Sequence, residues 1–412
     1  MSVTDSTASP IGDGRLLAGL GRPPTLGEHL RVFGPLQPVA DVVDLISTAG
    51  LRGRGGAAFP TAHKLAAVAG AGRRRPLVVA NAAEGEPTSR KDRSLMRVAP
   101  HLVLDGAVLA ASTVGADEVI FGLTGRVPEL EAAVRERSSR EDRLRFELRH
   151  VPGSFVAGEE TALVRALGGG PPKPTLKPPY PAERGLHGRP TLVQNVETFA
   201  HIALISRYGP DWFGPGTALV TLAGAVREPG VHEVPLGLTL AELLAGCGGV
   251  TADLAGILLG GFFGKWVEPG SVATTLVSAD VIGAGSIVAL PTSTCAVAEC
   301  ARVLRYLAGE SAGQCGPCVH GLAALADSID PSRTATTAET RFASQASCSA
   351  AAHAGIPTGQ PGSPAPRSRC SRPSSLATPP TEAAVAATSA YSRSGRGPDE
   401  SARNAARRPD RL

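Results

Sequence analysis

Gly50-Leu51-Arg52-Gly53-Arg54-Gly55-Gly56-Ala57-Ala58-Phe59-Pro60 gathers four glycines, two arginines, an aromatic ring and a proline into one short loop. Glycine lets backbone N–H groups come close to a ligand and tolerates positive φ. Consecutive N–H groups in such a loop make a concave anion site. An arginine adds a planar donor fork suited to phosphate. Phe59 adds a face on which a planar ring can stack. The plain alternative is a flexible glycine linker, since a glycine cluster is weak evidence on its own. The residues downstream of the loop decide between the two.

Pro76-Leu77-Val78-Val79-Ala80 predicts a short buried strand, and His101–Val114 a helix. Glu118–Gly122 predicts a second strand, Pro128–Arg135 a helix with proline in its first turn, and Leu144–Val151 a third strand. A helix follows over Glu159–Leu167, and a short one precedes the loop over Val39–Ala49. This alternation predicts an α/β sheet, largely parallel. A second, smaller α+β unit opens on Leu219–Ala223, turns at Arg227–Gly230, and continues through a helix at Leu240–Leu244 closed by Gly248-Gly249. Cys295–Leu307 reads as helical. Beyond about Ser328, Ser, Ala, Pro, Arg and Thr dominate, and such a segment buries too little apolar area to offset its ordering entropy.

Several later motifs carry polar chemistry. Asn81-Ala82-Ala83-Glu84-Gly85-Glu86-Pro87 directly follows the first strand, where α/β sheets bind ligands. Its plain alternative is a turn with solvated carboxylates. Lys91-Asp92-Arg93 reads as a charged surface run. Gly153–Thr161, with Phe155, Gly158, Glu159 and Glu160, is a glycine turn into a helix whose free N–H groups suit an anion or a flavin carbonyl, although two glutamates there also suit the helix dipole. Lys177-Pro178-Pro179-Tyr180 presents one cation and one ring on a rigid loop, or is only a proline-rich connector. Gln194-Asn195-Val196-Glu197-Thr198 places amides at a helix start, where an ordinary cap is the alternative.

Composition narrows the class. The chain has 412 residues, enough for two or three domains, and a net charge of +4, too small to imply a nucleic-acid binder. The first residues show no basic region followed by an apolar run, and no apolar stretch is long enough to span a bilayer. The expectation is a cytoplasmic protein, peripheral to a membrane only through partner subunits. Seven cysteines in such a setting suggest thiols, metal ligands or redox chemistry rather than a disulfide frame.

In this order and spacing, the motifs resemble the flavin-bearing, NADH-oxidising subunit of respiratory complex I and its relatives in NAD-linked hydrogenases and formate dehydrogenases. The resemblance covers about residues 46–325. It implies a Rossmann-like FMN-binding domain over 46–210 behind an N-terminal extension (1–45). A ubiquitin-like SLBB (β-grasp) domain over 216–290 would follow, carried by Glu228–Gly237, and then a helical iron–sulfur-type segment over 291–328. Residues 329–412 would be a disordered tail. The implied cofactors are FMN and NAD, and the implied partner is an iron–sulfur protein that accepts electrons. By the same resemblance Gly53, Arg54, Gly55 and Lys64 contact FMN, and Phe59 stacks on NADH. Asn81 and Glu84 match flavin-site positions and Glu86 a nucleotide contact. Phe155, Gly158, Glu159 and Glu160 match the family turn, Lys177 and Tyr180 match a nucleotide-contacting lysine and aromatic, and Asn195 is kept. Glu84 and Glu159 are expected to tune the flavin, with no general base required for hydride transfer.

The chain departs from the family at several positions. Ala58 stands where glycine is usual, Ala67 where a second aromatic is usual, Ala83 for an aspartate, and Gln194 for a first asparagine. The family's last domain holds a [4Fe–4S] cluster on Cys-x-x-Cys-x-x-Cys and a distant fourth cysteine. Here only Cys315 and Cys318 match, because Ala312 occupies the first position. An unusual ligand such as His320, Cys348 or Cys370, a missing cluster, and a foreign reading frame at the C-terminus all remain open readings. A non-catalytic scaffold that keeps the fold is the competing function.

Overall fold

Leu77-Val78-Val79-Ala80 is apolar at successive positions, so both faces of the strand want cover. In the computed structural model, which describes residues 14–72, 74–138 and 144–330, this run lies in β1, Leu77–Ala82, and is buried on both faces. It pairs in parallel with β2, Glu118–Leu123, and with β4, Thr191–Asn195. β3, Arg145–His150, pairs in parallel with β2 and completes the order β3-β2-β1-β4. β3 is the half-exposed edge, and its alternating Arg145, Glu147 and Arg149 blunt it against further pairing. β1 is followed by strands on one side and then, through β4, by a strand on the other. The switch point of the sheet therefore lies between β1 and β4.

One face of the sheet is covered by the helices Thr61–Ala69, Pro100–Val114 and Val196–Tyr208, and the other by Glu160–Leu167 through Leu163 and Leu167. Pro100 starts its helix without wasting an N–H, and Gly115 ends it in the left-handed conformation. The helices Pro100–Val114 and Val196–Tyr208 cross at Gly106, where a Cβ would sit 1.7 Å from the Phe199 carbonyl oxygen. Leu16 and Leu17 fill the same core from the N-terminal side.

The second sheet has the order β6-β5-β9-β7-β8: β5 Thr217–Gly224, β6 Gly230–Pro235, β7 Leu254–Leu259, β8 Lys265–Val267 and β9 Ser286–Pro291. β5 and β9 run parallel and the remaining pairs antiparallel. The sheet grips the helix Leu240–Gly246, whose Thr239 and Glu242 form a capping box and whose Leu240, Leu243 and Leu244 enter the core. Ala296–Gly309 and Leu322–Ile329 pack against each other and onto Leu258, Phe262 and Val288 of this sheet.

The expected strands and helices are present, with ends shifted by a few residues. Leu26–Phe33 and Lys91–Val98 are additional helices, and the helix start expected near Gln194 is preceded by β4. The disordered reading of 329–412 fails at its first two residues, since Ile329 ends the helix Leu322–Ile329 and is buried with Asp330; the rest, 331–412, lies outside the described residues. Among those described, no single helix is long and apolar enough to cross a membrane.

Candidate functional site

The glycine loop is closed at its base. Arg52 and Pro60 form an antiparallel bridge, and the Gly53 N–H donates to the Phe59 carbonyl at 2.9 Å. Within it Gly56 has φ 105° and Ala58 φ 47°, so the alanine that replaces the usual glycine keeps a left-handed backbone. Gly55 lies over Asn195, whose Cβ is 3.5 Å from the position a Gly55 Cβ would take. Phe59 projects outward, about half exposed.

The loop hangs over the carboxyl ends of β1 and β4, where Asn81 and Asn195 stand side by side in register. That is the switch-point crevice, the usual ligand position in an open α/β sheet. The Asn81 Nδ2 donates to the Gly158 carbonyl at 2.8 Å, which ties β1 to the Phe155–Gly158 turn. Gly158 cannot carry a side chain, because a Cβ would lie 2.9 Å from the Ala83 carbonyl oxygen. Asn195 caps the helix Val196–Tyr208 by accepting from the Glu197 N–H at 2.9 Å, and its Nδ2 donates to Asp92 at 2.7 Å. Both amides are thus held in one orientation by internal bonds.

Glu159 caps the helix Glu160–Leu167, accepting from the N–H groups of Thr161 and Ala162 at 2.8 and 3.0 Å. Lys177 bridges Glu159 and Glu160 at 2.9 and 3.0 Å, and Lys64 reaches Glu160 at 2.9 Å. Burial opposes ionisation of Glu160, but the two ammonium groups outweigh it and hold its carboxyl below the usual range. Burial likewise works against the Lys177 charge, and the two glutamates more than offset it. Tyr180 lies a few residues on with an exposed ring. Lys64, Lys177, Glu159 and Glu160 are therefore one cluster beside the loop.

Three expected ligand contacts sit differently. The Arg54 guanidinium is buried beneath the loop: it donates to the Thr217 carbonyl at 3.1 Å and lies 3.8 Å from Glu197. Its backbone N–H donates to the Thr198 hydroxyl at 2.9 Å. Arg54 therefore anchors the loop and offers no fork to a phosphate. Glu84 accepts from Ser89 Oγ and from the N–H groups of Asp92 and Arg93, which caps the helix Lys91–Val98. Glu86 is buried and accepts from the Phe262 N–H at 2.9 Å and the Thr88 hydroxyl at 2.7 Å, so it joins the two sheets instead of facing a nucleotide.

The run Lys91-Asp92-Arg93 is also not the surface feature that the sequence suggests. Lys91 and Asp92 are buried. Lys91 Nζ lies 2.6 Å from Asp92 and 2.8 Å from Glu197. Burial, with Glu84 and Glu197 nearby, raises the Asp92 carboxyl to about 7 despite the Lys91 charge. Glu197 is held down to about 2: burial opposes its charge, but Lys91, His201 and Arg54 outweigh it. This network supports Asn195, Glu84 and Arg54 from below. Only the proximity of its members in sequence to the two asparagine motifs hints at it.

The site suits a phosphate-bearing planar cofactor such as FMN. The glycine backbone is open, Lys64 supplies a cation beside it, and the amides at the sheet edge are fixed. A four-thiolate cluster does not fit the described residues. Cys315 is exposed, Cys318 half-buried, and no group of three or more His, Cys, Asp or Glu there is placed to hold a metal. Cys348 and Cys370 lie outside the described residues. Gln314 nevertheless reaches the Pro174 carbonyl at 2.9 Å, and Glu310 accepts from the Phe155 N–H at 2.7 Å. The helical segment therefore leans on the site.

The Nuo51 FMN-binding domain family matches residues 46–204, and the SLBB domain family matches 219–259. The NADH-quinone oxidoreductase F subunit (form 2) of Rhizobium meliloti is 32% identical over 319 residues, covering 68% of this chain and 74% of that protein. The NADH-quinone oxidoreductase F subunit of Mycobacterium bovis is 33% identical over 325 residues, covering 69% and 71%. The HndC subunit of the NADP-reducing hydrogenase of Solidesulfovibrio fructosivorans is 32% identical, covering 71% and 65%. Among solved structures, an NAD+-reducing [NiFe]-hydrogenase in the air-oxidised state matches with a TM-score of 0.69 and 31% identity, covering 79% of this chain and 59% of that one. The parallel sheet, the glycine loop at its switch point and these relatives agree. The chain belongs to the family of NADH-quinone oxidoreductase F subunits, the FMN-binding, NADH-oxidising oxidoreductases.

Proposed function

We propose that this chain is the NADH-oxidising flavoprotein of a multisubunit electron-transfer enzyme, and that the crevice between β1 and β4 is its active site. FMN, when bound there, supplies the acceptor for a hydride from the nicotinamide. The protein's part is to bind, orient and tune. Gly55 leaves backbone exposed for close approach, Gly53 closes the base of the loop through its hydrogen bond to Phe59, and Lys64 offers an ammonium to a phosphate. Asn81 and Asn195 present fixed amides at the sheet edge, and Phe155 and Gly158 close the facing turn. Phe59 and Tyr180 give ring faces to the nucleotide, and Lys177 a cation. Glu160 sits between the two lysines and holds them in position. Glu159 would tune a bound flavin through its carboxylate, which Lys177 partly offsets, and Glu84 would act on it only at a distance, through the helix start that it caps. Proximity and electrostatics do the work, with no protein base abstracting a proton.

The observation that carries this reading is the pairing of Asn81 and Asn195 at the switch point under the glycine loop. Domain boundaries at 46–210, 216–290 and 291–328 belong to this proposal, with the first domain extended backwards, because Leu16, Leu17, Phe33 and Val42 share its core. Electrons would then pass to an iron–sulfur partner protein in a cytoplasmic assembly; the relatives' names, which are those of subunits, support an assembly. Cys315 and Cys318 are left off this electron route.

An absorbance spectrum of the purified full chain, before and after anaerobic NADH, tests it. Flavin bands that bleach on NADH addition are expected. Protein that holds no flavin and cannot be reconstituted with FMN would leave the scaffold reading in its place. Glu159→Gln is expected to change flavin occupancy or NADH turnover; unchanged values for both would remove Glu159 from the site.

A further inference from the structure

Between β7 and β8 the chain turns through Gly260-Gly261-Phe262-Phe263-Gly264. Gly260 and Gly261 take φ 98° and 94°, and a Cβ on Gly264 would meet the Leu259 carbonyl oxygen at 2.1 Å. So tight a turn sends its two rings in different directions. Phe262 is buried, edge-on to Tyr306 at 5.3 Å, with its N–H on Glu86. Phe263 points the other way, onto the glycine loop of the first domain. Its Cζ lies 3.0 Å from the position a Cβ on Gly56 would take, and its ring is edge-on to Phe155 at 6.3 Å. The same surface makes other contacts with this loop. Arg52 pairs with Asp280 at 3.2 Å, and Gly283 lies 3.8 Å from the Gly56 Cβ position.

Phe263 remains 39% exposed although it is packed on two sides. Aromatic residues make up only 4% of this chain, so an exposed ring calls for a reason. Among the described residues, the exposed rings form two groups. Tyr208 and Trp212 lie against each other at 4.6 Å, with Arg15 over the tryptophan. Phe59, Tyr180 and Phe263, 53%, 51% and 39% exposed, stand on loops around the crevice. Phe59 and Phe263 border the same glycine loop, and Phe263 is the one contributed by the second sheet.

We propose that Phe263 is a wall of the ligand site: one side of its ring rests on the glycine loop, and its exposed side packs a planar heteroaromatic ring next to that loop. The β-grasp unit is then part of the binding site and not only a structural appendage. The ring it takes is either the isoalloxazine of FMN or a base of the dinucleotide, which share the same planar, polarisable chemistry. The inference rests on the flavin and nucleotide reading of the crevice.

The test uses the full chain as wild type, Phe263→Ala, Phe263→Leu and Phe263→Tyr, with melting temperatures recorded for each. FMN affinity is measured on apoprotein by fluorescence quenching. ADP-ribose and nicotinamide mononucleotide affinities are measured on flavin-loaded protein by calorimetry. The proposal expects Ala and Leu to weaken one of these ligands by about tenfold, and Tyr to restore it to within about twofold. Loss confined to FMN identifies the isoalloxazine; loss confined to ADP-ribose or to nicotinamide mononucleotide identifies the adenine or the nicotinamide. If wild type binds its ligands and the folded Leu variant binds all of them equally well, the proposal is overturned while the flavin reading stands. If wild type binds neither FMN nor ADP-ribose, the reading of the crevice fails, and this inference with it.

Discussion

Asp92 shows how a residue can support a site from which its own side chain is hidden. It holds the Asn195 amide through one oxygen and Lys91 through the other. Burial, with Glu84 and Glu197 nearby, raises its carboxyl from 3.8 to about 7, even though Lys91 pulls the other way. The folded protein therefore binds a proton there more tightly than the unfolded chain does. Stability from this group is complete below the unfolded value and is lost as pH rises through about 7. We expect wild type to lose on the order of 2 kcal/mol more than Asp92→Asn between about pH 5 and about pH 8. Urea unfolding at the two values measures this directly, and parallel pH profiles for the two proteins would contradict it. Arg54 invites a second test. Its side chain is buried under the loop, so Arg54→Met keeps most of the packing and removes the charge that faces Glu197. Breaking such a buried pair costs about 3 kcal/mol, because the carboxylate is left with less compensation. The expected result is a lower melting temperature together with weaker FMN retention as the loop loosens. Flavin retention that drops with no loss of stability would instead return the guanidinium to the ligand.

At the level of elements, legibility follows the kind of force involved. Runs such as Leu77–Ala80 and Glu118–Gly122 are readable because apolar, β-branched residues announce a buried strand by type alone. The glycine loop, Glu159 and Asn195 are readable because φ freedom and helix capping belong to single residues. The side-chain directions of Arg54, Glu86 and Lys91 are not. Whether a charge faces water or a buried counter-charge depends on Glu197, Thr217 and Phe262, which are distant in sequence. The helix Lys91–Val98 is hidden for the same reason: its buried face is made of Lys91, Asp92 and Ser94 as well as Leu95 and Met96, so it lacks an apolar stripe. Helix crossings depend equally on the partner. Gly106 is buried where Pro100–Val114 meets Val196–Tyr208, and a methyl group there would drive into the Phe199 carbonyl. Gly106→Ala is expected to cost about 3 kcal/mol by forcing the helices apart. Gly27→Ala, in Leu26–Phe33 with nothing within 4 Å of its Cβ position, is expected to stabilise by about 0.5 kcal/mol through helix propensity alone. Chemical denaturation of the two variants side by side separates packing from propensity, and equal effects would mean that the crossing tolerates the methyl.

Across the whole molecule, two buried carboxylates connect what the sequence presents as separate domains. Glu233 in β6 accepts the N–H groups of Arg15, Leu16 and Leu17, which ties the N-terminal residues of the first core to the second sheet. Glu86, in the loop after β1, accepts the Phe262 N–H from the turn between β7 and β8. Burial raises both carboxyls above their usual range, so neither is a favourable place to keep a charge, and both depend on the donors that converge on them. The two joints differ in consequence. Glu233 fastens the N-terminal segment, whereas Glu86 fixes the turn that sets Phe263 against the glycine loop and Phe262 against Tyr306. Glu86→Ala leaves the Phe262 N–H without its acceptor at a buried position and is expected to cost about 2 kcal/mol. The loss should be local. Hydrogen exchange is expected to quicken in the turn between β7 and β8 while the amides of β1 and β4 keep their protection, and proteases should cut first in that turn. Glu233→Ala should instead release residues 15–17 and leave the turn protected. A Glu86 variant in which both sheets lose protection together would show that the two sheets unfold as one unit, with Glu86 adding stability but no local hold on the site.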